Sequence, residues 1–128
     1  MDKILTKATL GMPSSFMTEQ WGGLHVFKVG TRTDFEMFAI LSPGENRLTV
    51  KAPDEEIRAM LFEVGVAEPH SHFPRGNWMV LRLDRLELVD VTERLKSSYN
   101  TVILSLSKRV RASLGEVENK LQFLSFAR

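Results

Sequence analysis

Apolar and polar positions along the chain fall into two periodicities. Four β-prone stretches alternate with a period close to two: "HVFKVG" (25–30), "EMFAILS" (36–42), "NRLTVK" (46–51) and "NWMVLRL" (77–83). In the gap "SPGEN", Pro43 and Gly44 favour a tight turn, whereas "TRTDF" makes a looser connection. The first three stretches therefore predict an antiparallel meander, and the stretch at 77–83 adds a fourth strand.

Between them lies a helical period. In "APDEEIRAMLFEVG", Pro53 suits the first helical position, and Asp54, Glu55 and Glu56 place negative charge in the first turn, where the helix dipole favours it. Ile57, Met60, Leu61 and Val64 recur on one stripe, and Gly65 ends the helix. Asp90 and Glu93 have the spacing of a capping box, opening a long helix striped by Leu95, Tyr99, Val102, Leu106, Val110 and Leu114. Residues 2–10 predict a short helix with Ile4, Leu5 and Ala8 facing inward. An antiparallel sheet with helices on one face, a two-layer α/β (α+β) sandwich, is the economical packing for this order.

Length and composition place this pattern in one domain. The chain has 128 residues, sized for a single core, and Gly115 divides a domain over 1–114 from a tail over 115–128. Lys and Arg number 17 against 16 Asp and Glu, so any basic site must come from local arrangement rather than bulk charge. The absence of cysteine excludes disulfides, thiolate metal sites and cysteine nucleophiles. No apolar run is long enough to span a membrane, and "MDKILTKATLG" is unlike a signal peptide, so a soluble, cytoplasmic protein is expected.

Alternation also sorts the strand side chains into faces. If Phe27, Val29, Leu48, Val50, Met79, Leu81 and Leu83 pack on the helices, the other face collects Lys28, Arg47, Lys51, Trp78 and Arg82. Arg32 sits in the first hairpin loop and Arg75 in the loop before Trp78. Glu36, Phe38 and Ile40 would share this outer face, so it is not purely basic. Cations with an aromatic on an open sheet suit nucleic acid, because cations neutralise phosphates and rings stack on bases. A solvent-facing sheet also needs polar residues for its own sake. Glu55, Glu56 and Glu63 on the first long helix leave the sheet side the more positive.

The stretch "HSHFPRGNW" (70–78) pairs His70 and His72 two residues apart. With Glu68 the nearest carboxylate and His25 the remaining imidazole, the ligand count falls short of a metal site, and the stretch reads as a polar loop turning into a strand. No P-loop, dinucleotide-binding glycine pattern or nucleophile elbow is present, and "WGG" (21–23) is a turn signal. Glu19 beside Trp21 has the chemistry of a general base, although such a residue more often caps a helix or pairs with an arginine. Tyr99 falls on the buried stripe and needs a partner for its hydroxyl. No enzyme activity, cofactor or metal is expected.

Several segments together resemble the MmcQ/YjbR family of small, mostly bacterial proteins: Pro13 and Glu19, "VFKVGTRTDFEMFAIL" (26–41), "LTVKAPDEE" (48–56), "WMVLRLD" (78–84) and "SYNTV" (98–102). The resemblance covers about residues 11–114; the hairpin "GTRTDFEMFA" is longer than the family's, and Arg85 follows Asp84 where a glycine is usual. It implies a CyaY-like, YjbR-like fold carrying a "double wing" of hairpins, and DNA binding through those hairpins and the open sheet face. Double-stranded DNA would then be held by Lys28, Arg32, Arg47, Lys51, Arg75 and Arg82, with Trp78 among them. The rival expectation is a module that binds another protein or a small acidic ligand on the same face. The tail "EVENKLQFLSFAR" places Val117, Leu121 and Leu124 at helical spacing with Phe123 and Phe126, a surface that folds back on the core or meets a partner or second copy.

Overall fold

The computed structural model describes residues 1–114; the expectations for the tail over 115–128 lie outside the described residues. The elements run α1 (Asp2–Leu10), β1 (Ser15–Gln20), β2 (Leu24–Gly30), β3 (Phe35–Ser42), β4 (Arg47–Lys51), α2 (Glu55–Glu63), β5 (Ala67–Pro69), β6 (Trp78–Arg82), α3 (Leu88–Ser105) and α4 (Lys108–Leu114). Six antiparallel strands form one sheet in the order β1-β2-β3-β4-β6-β5. The meander over β2–β4 is present as predicted, and the edge strands β1 and β5, which the sequence pattern did not pick out, bring the sheet to six. β5 ends at Pro69 on the sheet edge, where a missing N–H does least harm.

The core lies between the sheet and the helices. Phe27, Val29, Ala39, Leu41, Leu48, Val50, Met79 and Leu81 meet Val91, Leu95, Tyr99, Val102 and Ile103 of α3 in one cluster. A bulge in β3 supplies a further member. The register pairs Phe27 with Ala39 but Lys28 with Met37, leaving Phe38 as an extra residue. Phe38 is therefore not on the outer face with Ile40, as strict alternation expected; it is fully buried, its ring edge-on to Tyr99 at 5.4 Å. Glu36 pairs with the fully buried Val29 and shares its face, so it also leaves the outer side.

The bulge is fastened by α3. The Ser98 hydroxyl donates to the Phe38 carbonyl at 2.6 Å and accepts from the Lys51 N–H at 2.8 Å. The β3–β4 ladder stops at Ala39↔Val50, so this hydroxyl stands where the next interstrand bond would fall. Beside it, the Tyr99 hydroxyl donates to the Pro13 carbonyl at 2.7 Å, tying α3 to the segment between α1 and β1.

The helices depart from their predicted stripes at several positions. In α1, Leu5 and Thr9 are buried while Ile4 and Ala8 face outward; the Thr9 hydroxyl satisfies itself on the Leu5 carbonyl at 2.6 Å. Pro53 precedes α2 rather than opening it, because Asp54 is the cap, accepting from the Ile57 N–H at 2.8 Å. Ile57, Leu61 and Phe62 pack inward, leaving Met60 and Val64 exposed. Gly65, at φ +79°, closes α2 with its N–H on the Phe62 carbonyl and the Val66 N–H on that of Leu61. The capping box at Asp90 does not form: α3 starts at Leu88, and Asp90 lies inside its first turn. The long stripe is split between two helices, since Leu106 is extended (ψ 151°) and the Ser107 hydroxyl then accepts from the Val110 N–H at 3.3 Å to start α4.

Removing the Ser98 hydroxyl orphans a buried carbonyl and an amide. Ser98→Ala is expected to lower unfolding stability by about 2 kcal/mol, and Tyr99→Phe by about 1 kcal/mol. Urea denaturation measures both, and a Ser98→Ala midpoint equal to that of wild type would remove the bridge from the account.

Candidate functional site

The sheet face away from the helices resolves into three transverse rows, because antiparallel partners share a face. The first holds Phe16, Lys28, Met37, Lys51 and Trp78, from the pairs Phe16↔Lys28, Lys28↔Met37 and Lys51↔Trp78. The middle row holds Thr18, Val26, Ile40, Thr49, Val80 and Glu68. The third holds Gln20, Leu24, Ser42, Arg47 and Arg82.

The first row interleaves cations with rings. Lys28 Nζ lies 4.9 Å from the centroid of Phe35, whose ring meets Phe16 edge-on at 5.5 Å. Lys51 Nζ lies 5.5 Å from the Trp78 ring. One strand separates the two lysines, placing them roughly 10 Å apart at the usual strand spacing. Gly30, beside them, adopts φ +138°, and a Cβ there would collide with the Asp34 carbonyl oxygen, so the hairpin carrying Phe35 closes only over glycine. Arg32 is exposed at the tip of that hairpin.

In the third row, Arg47 and Arg82 are direct cross-strand partners. Arg82 Nε is 3.3 Å from a Glu68 oxygen, and Arg85 is 3.5 Å from the other. Among the described residues Glu68 is the only carboxylate in an ion pair, which leaves Lys28, Arg47 and Lys51 without one.

The centre of the middle row is not open to water. Val26, Ile40, Thr49 and Val80 are all buried, and the loop between β5 and β6 lies across this face. Phe73 of this loop has its ring 6.2 Å from Trp78 and 6.3 Å from Trp21 in the β1–β2 turn. A cleft of about 330 Å³ remains beneath it, lined by Trp21, Leu24, Ile40, His70, His72 and Phe73. Arg75, on the same loop, is exposed. The seven predicted contact residues thus gather as Lys28, Lys51 and Trp78 in one row and Arg47 with Arg82 in another, with Arg32 and Arg75 on loops. Sequence reasoning missed Phe16, Phe35, Phe73 and the display of Trp21. The aromatic at the centre of a polar loop was the one available sign of a covering segment.

His70 holds the loop's shape. Its Nδ1 accepts from the N–H groups of His72 at 3.0 Å and Phe73 at 3.2 Å, and its ring lies 4.5 Å from that of Phe73. Both imidazoles lie in the loop after β5, which ends at Pro69, with ring centroids 6.0 Å apart. Among the described residues no three of His, Asp and Glu come together as a metal site. Burial, then the Arg47 guanidinium, then His72 hold the His70 imidazole below its ordinary value of 6.5. Glu19, on the edge strand β1, is exposed opposite His25.

A family model described as YjbR matches residues 10–101. Among solved structures, the crystal structure of Deinococcus radiodurans protein DR2400, with family-model domain DUF419, is similar with a TM-score of 0.82. It shares 25% identity over 90% of this chain and 88% of that one. No curated protein matches the chain.

The His70 cap has a pH dependence of definite sign. Protonating Nδ1 turns the acceptor into a donor and releases both amides. Just below pH 6.5 the unfolded loop binds a proton that the folded loop refuses, so loop stability falls as pH falls through this window. Amide exchange of His72 and Phe73, corrected for intrinsic rate, is expected to be slow above pH 7 and to accelerate toward about pH 5. His70→Asn, whose side-chain carbonyl is an acceptor at every pH, is expected to abolish the dependence; persistence in that variant would assign it elsewhere.

Proposed function

Since the chain belongs to the YjbR family, we propose that this member is a non-enzymatic nucleic-acid-binding protein that holds DNA on the loop-covered sheet face. The observation that carries the reading is the first row, where Lys28 and Lys51 each stand over an aromatic ring with no carboxylate partner among the described residues. Folding gains little from leaving cations unneutralised side by side, whereas a polyanion gains both charge neutralisation and aromatic surface from them. Arg47, without a carboxylate partner among the described residues, adds a cation in the third row, and Arg32 and Arg75 extend the positive surface along the hairpin and the covering loop. Arg82, already engaged by Glu68, contributes least. With a net charge of +1, affinity for a polyanion rests on this local arrangement, and contacts made to phosphates carry little sequence information.

Titrating a labelled 30-base-pair duplex by fluorescence anisotropy at several salt concentrations checks this. Binding is expected in the micromolar range at low salt, about the level of sequence-independent complexes, and to weaken log-linearly with salt. Lys28→Glu and Lys51→Glu are each expected to reduce the salt slope by about one. Flat anisotropy at low salt, or full affinity in both variants, would sink the proposal.

A further inference from the structure

The cleft beneath Phe73 has a composition that phosphate binding does not require. Its floor is Leu24 and Ile40, and two of its walls are the rings of Trp21 and Phe73, their centroids 6.3 Å apart and their planes inclined at 58°. Rings at this spacing and tilt are in ordinary edge contact, so the open stacking surface of the cleft is the exposed indole of Trp21 rather than a slot between the two rings. His70 and His72 complete the rim. Because His70 Nδ1 is an acceptor, the neutral imidazole carries its proton on Nε2, which leaves a donor at the rim.

Trp21 is the least expected of these residues. It is 57% exposed and held at φ +50°, a backbone state that is costly for a bulky side chain. Gly22 and Gly23, at φ +78° and +102°, could have made the turn with any small residue before them. The fold therefore maintains an exposed indole at a conformational cost without burying it. Arg47 interacts electrostatically with His70 and has no carboxylate partner among the described residues, which puts uncompensated positive charge beside the cleft.

A flat heterocycle attached to a phosphate satisfies all of these features: a face for the exposed indole, edge acceptors for an imidazole N–H, and an anion for Arg47. We infer that the Trp21–Phe73 cleft takes one unstacked base of single-stranded nucleic acid. This rests on the nucleic-acid reading above and deepens it from phosphate contact to base capture. A duplex keeps its bases stacked and can engage only the cationic rows, whereas a single strand can also fill the cleft.

The test compares a labelled single-stranded 12-mer with an abasic strand of equal length and charge. Wild type is expected to bind the base-bearing strand roughly tenfold more tightly, the scale of one base stacked on aromatic side chains. Trp21→Gly, which suits the left-handed backbone and so preserves the turn, is expected to bring that ratio to about one while leaving abasic affinity within about twofold. Equal binding of the two strands by wild type, with duplex binding intact, would overturn base capture alone. Loss of duplex binding as well would remove the nucleic-acid reading beneath it. Competition by a free mononucleotide distinguishes the two sources of the same chemistry. Displacement only at millimolar concentration supports capture from a strand, and displacement at the strand's own concentration would reassign the cleft to free nucleotides.

Discussion

One hydroxyl, that of Ser98, joins the helix layer to the sheet at the point where the sheet's own ladder fails. It receives the Lys51 amide and binds the Phe38 carbonyl, two groups that a regular register would have paired directly. The hydroxyl takes the place of an interstrand bond between β3 and β4, and the bulged residue turns its ring into the core against Tyr99. With both partners protein groups and the serine fully buried, water cannot replace the bridge. Lys51 leaves this clamp with its backbone fixed, and Trp78 opposite inherits the position through the β4–β6 pairing. The cationic row on the far face is thus set by a polar contact on the near one.

That far face is divided by chemistry as well as by position. Its central residues are as well buried as the core, under a loop rather than a helix. A loop is a cheaper cover than a helix because it needs few contacts, and here the main ones are aromatic: Phe73 touches Trp21, Trp78 and His70. The loop's own shape is fixed by two backbone N–H groups that donate to one imidazole. The basic rows lie on either side, so a ligand that spans them must cross the covering loop.

Much of this was legible in the chain and some was not, for identifiable reasons. The strands β2, β3, β4 and β6 announced themselves because each buries a regular set on one side, and the same alternation placed Lys28, Arg47, Lys51, Trp78 and Arg82 on one face. β1 did not, because "SFMTEQ" is a half-exposed edge whose side chains carry little apolar contrast. The bulge was hidden within "FAIL", where four consecutive buried residues have no period to read. The end of α3 was hidden because the apolar stripe resumes in phase beyond Leu106, and a stripe records packing rather than hydrogen-bond continuity. The covering role of "HSHFPRGNW" rests on contacts of Phe73 with residues distant in sequence, which local pattern does not encode.

The bulge in β3 also bears on descent within the family. On either side of Phe38 the strand keeps its parity: Phe35 and Met37 face outward, as does Ile40, while Glu36 and Ala39 face inward. Excising residue 38 would leave every other side chain of the strand on its present face. The strand can therefore gain or lose this one residue in evolution without inverting, a tolerance that strands ordinarily lack because a one-residue slip exchanges their two faces. Relatives that carry a single-residue gap here would be expected to differ at the positions of Ser98 and Tyr99 as well, since the hydroxyl and the ring would have lost the neighbour they serve.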